Sequence, residues 1–299
     1  MPSTIRSRAN SSFKHWLRLR ENRHRRRSGQ FIVDGRREVA RAIRSGWPLE
    51  RLILADSAVA VLTEDAPADP PDTEAGMIAY LMRDVPEENQ VQLERALFRQ
   101  LAYGNRDEGC IGVFRTPDNH PRTTQSPGVG SEAVETAGTD AAGTDDEVSA
   151  PLWVIAENIE KPGNLGAIFR TADAVGADRV FLNGCCDALS PTAIRASLGC
   201  VFSVLWQEIE YQQLTETLQS NDVQVLAAIV DAPDLLWQCD LRRPTAIVVG
   251  AEDQGLHPRW QESAKPFRLP MQGIADSLNV SVTAAVCLYE AARQRAADR

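Results

Sequence analysis

Apolar residues along this chain fall into two kinds of run. Short continuous ones, LWVIA at Leu152–Ala156 and TAIVV at Thr245–Val249, read as strands buried on both faces. Between such runs the spacing turns helical. Leu165, Ile168, Phe169, Ala172 and Val175 share one face that ends at Gly176, and Val280, Ala284, Cys287, Leu288 and Ala291 recur at i, i+4, i+7, i+8 and i+11. The same reading predicts strands at Arg179–Leu182, Val201–Leu205 and Val223–Val230, with helices at Thr192–Leu198 and Tyr211–Ser220. Continuously apolar strands alternating with helices mean a parallel sheet covered on both faces, and ligands of such sheets collect at the carboxyl ends of the strands.

The first 115 residues carry a shorter version of this alternation. A helix is predicted over Ser11–Arg27, where Phe13, Trp16, Leu17 and Leu19 stand among arginines. The strand Phe31–Gly35 (FIVDG) and a helix over Glu38–Ser45 closed by Gly46 follow, then a strand at Leu49–Leu54. Beyond a Pro- and Asp-rich loop at Ala66–Asp72 come a strand at Met77–Leu81, a helix around Glu87–Arg99 and a strand at Gly109–Phe114. Residues 1–115 therefore form a small α/β domain. From Thr116 to Ala150 the chain is rich in Thr, Gly, Ser, Pro and acids, buries too little to order itself, and reads as an acidic linker or insertion. Residues 151–299 make the second domain.

Composition narrows the class of protein. With 299 residues and 43% apolar side chains the chain supports two cores. It has no run of about eighteen apolar residues, so no membrane span is expected. The start lacks an apolar signal region, so the cytoplasm is the expected location, with an Arg- and Ser-rich transit peptide as the alternative reading of the same stretch. Six cysteines show no paired spacing and read as reduced packing residues; four scattered histidines form no ligand set, so no metal is expected. The net charge of −9 hides a segregation: Met1–Arg44 carries thirteen Lys or Arg against three acids, leaving the remainder near −19. Arg18, Arg20, Arg23, Arg25, Arg26 and Arg27 make either a solvated helix face or a surface for a polyanion, most simply nucleic acid.

Three loops at strand ends carry the candidate chemistry. ENIEKPGNLGAIFR, Glu157–Arg170, sets Asn164 and two glycines between a strand and a helix; Arg170 is either a structural ion-pair member or an anion contact. VVGAEDQGL, Val248–Leu256, follows a strand with Gly250, Ala251 and Glu252, a carboxylate that is either solvated or available to a cationic or hydroxyl-rich ligand. LPMQGIADSLN, Leu269–Asn279, leads into the last helix; Ser277 and Asn279 suit capping.

Together the three loops resemble, in order and spacing, the motifs of the SpoU/TrmH branch of the SPOUT methyltransferases, which modify ribose 2′-hydroxyls in RNA. PGNLGAIFRTADAVGA is similar to the first motif, VVGAEDQGL to the second and LPMQGIADSLNVSVTAA to the third, while SPTAIRASLGCVF, Ser190–Phe202, resembles the intermediate segment. The basic helix with FIVDG and the helix after it is similar to the RNA substrate-binding domain of ribosomal RNA enzymes, with Asp34 where Glu is more usual. The fold implied is an α/β chain in which a parallel-sheet domain knotted as a trefoil follows a smaller α/β RNA-binding domain.

The resemblance further implies S-adenosylmethionine held by Gly250, Leu269 and Leu278 with Ala251 and Met271 beside them. It maps catalytic positions onto Asn164, Arg170, Glu252, Ser277 and Asn279, adds Arg195 to the RNA-contacting arginines, and implies a homodimer through the C-terminal domain. A guanidinium stays charged, so Arg170 is read as a phosphate clamp and alkoxide stabiliser rather than a base. Asn164, Ser277 and Asn279 would orient the ribose and Glu252 support them. The function expected is 2′-O-methylation of large-subunit ribosomal RNA. Its alternatives are a transfer RNA target, a self-protecting resistance enzyme, and a non-catalytic ribosome assembly factor.

Overall fold

The computed structural model describes residues 3–59, 74–105, 108–117, 150–251 and 255–296. The Pro- and Asp-rich loop, Glu252 and nearly all of the acidic stretch after Thr116 lie outside them. The N-terminal domain runs β1 (Ser3–Ile5), α1 (Ser11–Arg18), α2 (Asn22–Ser28), β2 (Gln30–Asp34), α3 (Arg36–Arg44) and β3 (Leu49–Ala55). It continues with α4 (Asp56–Val59), α5 (Glu74–Asp84), β4 (Gln90–Leu93), α6 (Arg95–Leu101) and β5 (Cys110–Arg115). Its mixed sheet has the order β1-β4-β3-β5-β2. Alternation along the strands serves two faces: Phe31, Val33, Leu52 and Leu54 point to one core, Ile32, Ile53 and Ala55 to the other.

Three local expectations give way here. Met77–Leu81 is not a strand but the middle of α5, because Ile78, Leu81 and Val85 stand at helical spacing and all bury in the core. The helix expected around Glu87–Arg99 breaks up: Pro86 precedes a single 3-10 turn, and Gln90–Leu93 becomes β4, paired to β1 and β3. The arginine-rich helix over Ser11–Arg27 divides at Leu19–Glu21, where Leu19 is fully buried and Arg20 turns back to an ion pair with Asp34. Tertiary contacts override local periodicity at all three places.

The second domain runs β6 (Leu152–Glu157), α7 (Pro162–Val175), β7 (Arg179–Asn183), α8 (Pro191–Ala196), β8 (Trp206–Glu208) and α9 (Tyr211–Ser220). It ends with β9 (Gln224–Ala228), β10 (Thr245–Gly250), α10 (Arg259–Ser263), β11 (Lys265–Phe267) and α11 (Val280–Ala296). The strand expected at Val201–Leu205 is a 3-10 turn, with β8 starting just after it. All six strands are parallel, in the order β11-β9-β10-β6-β7-β8, with α7 and α11 against one face and α9 and α10 against the other. From β11, the outer strand, the chain returns over the carboxyl ends of β9 and β10 to α11, which packs on α7 and β10. That return is the crossing a trefoil knot requires.

The two domains share one core. Phe31, Trp47 and Phe114 meet Phe202 of the second domain, with ring centroids 5.3–6.4 Å apart. Around them Trp47 Nε1 donates to Phe202 O at 3.1 Å and Arg41 Nη1 to Leu198 O at 2.5 Å. The strongest tie is Arg25, 4% exposed, whose guanidinium lies 2.7 Å from the Asp187 carboxylate and also donates to Leu19 O and Arg20 O. Arg25, expected on an RNA-facing surface, is thus a domain clamp. All six cysteines are free, and burial raises every thiol pKa for which a direction is resolved, Cys185 to about 12 and Cys186 to about 11.

Candidate active site at the carboxyl ends of the strands

β6 and β10 pair in register to their ends, Gly250 opposite Glu157, so the loops after them leave the sheet at one level. Glu157 is fully buried and accepts from His257 N–H at 2.9 Å and from Arg259 Nη2 at 2.5 Å. The same Arg259 nitrogen reaches Asn183 Oδ1 at 2.8 Å, and the guanidinium lies 3.9 Å over the Tyr211 ring. This network, centred on the buried Glu157, pins the chain after Gly255 against the ends of β6 and β7. No sequence motif marks it, since Arg259 lies 102 residues from Glu157 and 76 from Asn183.

Next to it a pocket opens at the ends of β9, β10 and β11. Gly250, Ala251, Leu269, Met271 and Leu278, the five positions singled out for a cofactor, all line it, and Ser277 does too. Ile229 and Val230 complete the wall from the end of β9. Nothing in their own sequence marked those two; their position beside β10, at a strand end of a parallel sheet, is the signal. Gly250 is required sterically: a Cβ there would stand 2.7 Å from Gly255 O, where the loop folds back on itself through a Gly255 N–H to Ala251 O bond of 3.0 Å.

The first and third loops meet at the rim. Asn164 is in the first turn of α7, which starts at Pro162, where its missing N–H costs nothing. Asn279 Nδ2 donates to Asn164 Oδ1 at 3.2 Å, while Asn279 Oδ1 accepts from Ser281 N–H at 3.0 Å. Asn279 therefore both caps α11 and joins the two loops. Ser277 is exposed on the pocket wall. Arg170 stands apart: it is exposed, has no ion-pair partner among the described residues, and lies six residues beyond Asn164, about 9 Å along the helix. It does not line the pocket. Of the arginines named from sequence, Arg18, Arg23, Arg26 and Arg27 are exposed, Arg20 is tied to Asp34 and Leu101 O, and Arg195 faces Glu108 at 3.7 Å. No helix among the described residues is long and apolar enough to cross a membrane, and none of their His, Cys, Asp and Glu side chains group to hold a metal.

Residues 151–289 match the SpoU rRNA Methylase family, and residues 10–112 the MRM3-like substrate binding domain. The chain is 38% identical to the 23S rRNA (guanosine-2′-O-)-methyltransferase RlmB of Pseudomonas syringae over 50% of its own length and 61% of that protein's. With RlmB of Bordetella pertussis it shares 36% identity over 65% of this chain and 74% of the relative. The chain spans only 54% and 61% of the first two curated relatives it matches. A crystal structure of an RNA 2′-O ribose methyltransferase superposes with a TM-score of 0.73 at 33% identity, over 98% of this chain and 99% of the other. Both halves of the sequence, the order of the three loops and the strand order that gathers them at one edge agree: the chain belongs to the SpoU rRNA methylase family.

Proposed function

We propose that this protein transfers a methyl group from S-adenosylmethionine to a ribose 2′-hydroxyl of ribosomal RNA, in the cytoplasm and as a homodimer. The observation that carries the reading is the convergence of Gly250, Ala251, Leu269, Met271 and Leu278 on one pocket, with the Asn164–Asn279 bond at its rim. The pocket fits the donor. Apolar side chains of three strand ends suit an adenine ring, and strand-end backbone offers N–H and C=O groups to its edge. Asp276 supplies a carboxylate for a cationic sulfonium.

When bound, S-adenosylmethionine supplies an electrophilic methyl whose C–S bond breaks as the new O–C bond forms. The chain's own contribution is alignment and charge. Asn164 and Asn279, fixed by each other and by the start of α11, present amide groups to the ribose, and Ser277 adds a hydroxyl from the pocket wall. Arg170 grips the target phosphate and stabilises the negative charge that builds on the oxygen as its proton passes to solvent water. Glu252 is assigned the supporting role, and Arg18, Arg23, Arg26 and Arg27 carry the RNA backbone.

Two observations support the dimer. Val282, Val286 and Tyr289 recur at i, i+4 and i+7 on α11, and Val282 and Tyr289 remain 46% and 58% exposed, an apolar stripe that a second copy would cover. Arg170 sits outside the pocket of its own chain, as a site completed between two copies would require. Sedimentation at micromolar concentration should give twice the 32.9 kDa chain mass; a single monomeric species counts against it.

Gly250→Ala should weaken S-adenosylmethionine binding about tenfold or more, because the new methyl must displace the loop at Gly255. Calorimetric titration measures this, and undiminished affinity would move the donor out of this pocket. The function itself is tested by mapping alkali-resistant ribose positions in RNA from cells with and without the protein. Loss of one protected position in large-subunit ribosomal RNA is expected. A change confined to transfer RNA would redirect the target, and an unchanged map in both would overturn the reading.

A further inference from the structure

Between the two domains lies a cleft of about 490 Å³ that methyl transfer does not use. One wall is the β2–α3 turn with Tyr103 and Glu108; the other is α8 and its end, through Pro191, Arg195 and Leu198. Those three recur at i, i+4 and i+7, while the opposite face of α8 packs on α7 so closely that a Cβ at Gly166 would stand 2.5 Å from Ala193 O. The cleft is therefore one helix away from the segment bearing Asn164 and Arg170. Its walls are held in place: the Tyr103 hydroxyl lies 2.8 Å from Thr192 Oγ1, Asp34 is ion-paired with Arg20, and Arg41 holds Leu198 O.

Glu38 is the buried carboxylate in it without a side-chain partner among the described residues. It is 8% exposed, yet no side chain among the described residues donates to its carboxylate or pairs with it; only its own backbone N–H supports it. Burial, and then the neighbouring Glu108, push its carboxyl up. Both carboxylates converge on Gly35, where a Cβ would stand 2.5 Å from Glu38 Oε2 and 2.8 Å from Glu108 Oε2. Buried acceptors of this kind call for N–H donors. A bare cation is a poor answer, since Arg36, Arg37 and Arg195 line the same cleft. An anion alone is equally poor beside the carboxylates. A ligand with N–H donors at one end, a flat ring and an anionic group at the other satisfies every part.

We propose that this cleft receives one unpaired guanosine nucleotide of the RNA, distinct from the methylated one. Guanine alone among the bases offers adjacent imino and amino donors to a single carboxylate, here Glu38; its ring lies against the 40%-exposed Tyr103, and its phosphate meets Arg195 and Arg37. Binding releases Arg195 from Glu108, a partly exposed pair that costs little to open. This rests on RNA being the substrate, as proposed above.

The test uses the full chain and three single-stranded hexamers, oligouridine carrying one central guanosine, one central inosine, or none. Inosine lacks the 2-amino group. Fluorescence anisotropy should give about tenfold tighter binding of the guanosine hexamer than of either other. Glu38→Gln should level the three, with S-adenosylmethionine affinity by calorimetry unchanged as the control for folding. Arg195→Ala, a partly exposed position, should weaken all three together. Equal affinities in the unaltered protein, or a guanosine preference that survives Glu38→Gln, would overturn the proposal. So would millimolar Mg²⁺ competing the guanosine hexamer away more strongly than the other two, which would make the cleft a cation site. Ribosomal RNA methylated without guanosine preference sinks the cleft alone; preference without methylation sinks only the methyl-transfer reading.

Discussion

Arg170→Ala should lower methyl transfer by about a hundred- to a thousandfold, the usual cost of removing one group that stabilises developing charge. Its affinity for S-adenosylmethionine should be unchanged, because Arg170 does not line the pocket. Folding should be intact as well: the side chain is exposed and no described residue pairs with it. Arg170→Lys retains a charge but not the planar fork, so it should recover only a small part of the rate. Single-turnover methylation of ribosomal RNA beside calorimetry of the donor separates the two effects. A lysine variant of near-normal rate would reduce Arg170 to a point charge, and an alanine variant of near-normal rate would remove it from the chemistry.

The largest stability effect is expected at the domain clamp. Asp187→Asn keeps the shape and the bond from Leu189 N–H to Oδ1, at 2.9 Å, but strips the charge opposite Arg25. A guanidinium with 5% of its side chain exposed is then left uncompensated, at a cost of about 3–5 kcal/mol. Urea unfolding followed by tryptophan fluorescence should register this, because Trp47 stands in the interface. It should also weaken the coupling between the domains, so that two transitions separate, one for each domain. A loss below about 1 kcal/mol would mean that the pair behaves like an exposed one.

The second domain was largely legible from its pattern, and for a physical reason. Strands buried on both faces must be apolar throughout, and helices laid on them must show one dry stripe, so β6, β10, α7 and α9 fall close to the expected ranges. The N-terminal sheet is smaller, and its edge elements are short. Ser3–Ile5 and Gln90–Leu93 are strands only because they pair with each other and with β3, which three or four residues cannot announce. The apolar run at Met77 fits both periods, and only packing decides for a helix.

At the site, the loops could be located by glycine-bearing strand ends, and resemblance drew them together. Two matters lay beyond reach. The Glu157–Arg259–Asn183 network is built from residues far apart in the chain, each ordinary on its own. Arg25 looked like its exposed neighbours because a run of arginines does not reveal which one turns inward; Asp187, its partner, lies in a loop with no motif.

That same pair imposes an order on biosynthesis. Arg25 leaves the ribosome 162 residues ahead of Asp187, a lag of about ten to thirty seconds at ordinary rates of synthesis. For that interval the first domain exists with its inward guanidinium unmatched and with Phe31, Trp47 and Phe114 still lacking Phe202. A nascent chain in this state offers a sticky aromatic patch beside a dense positive charge, and so depends on the second domain arriving to close it.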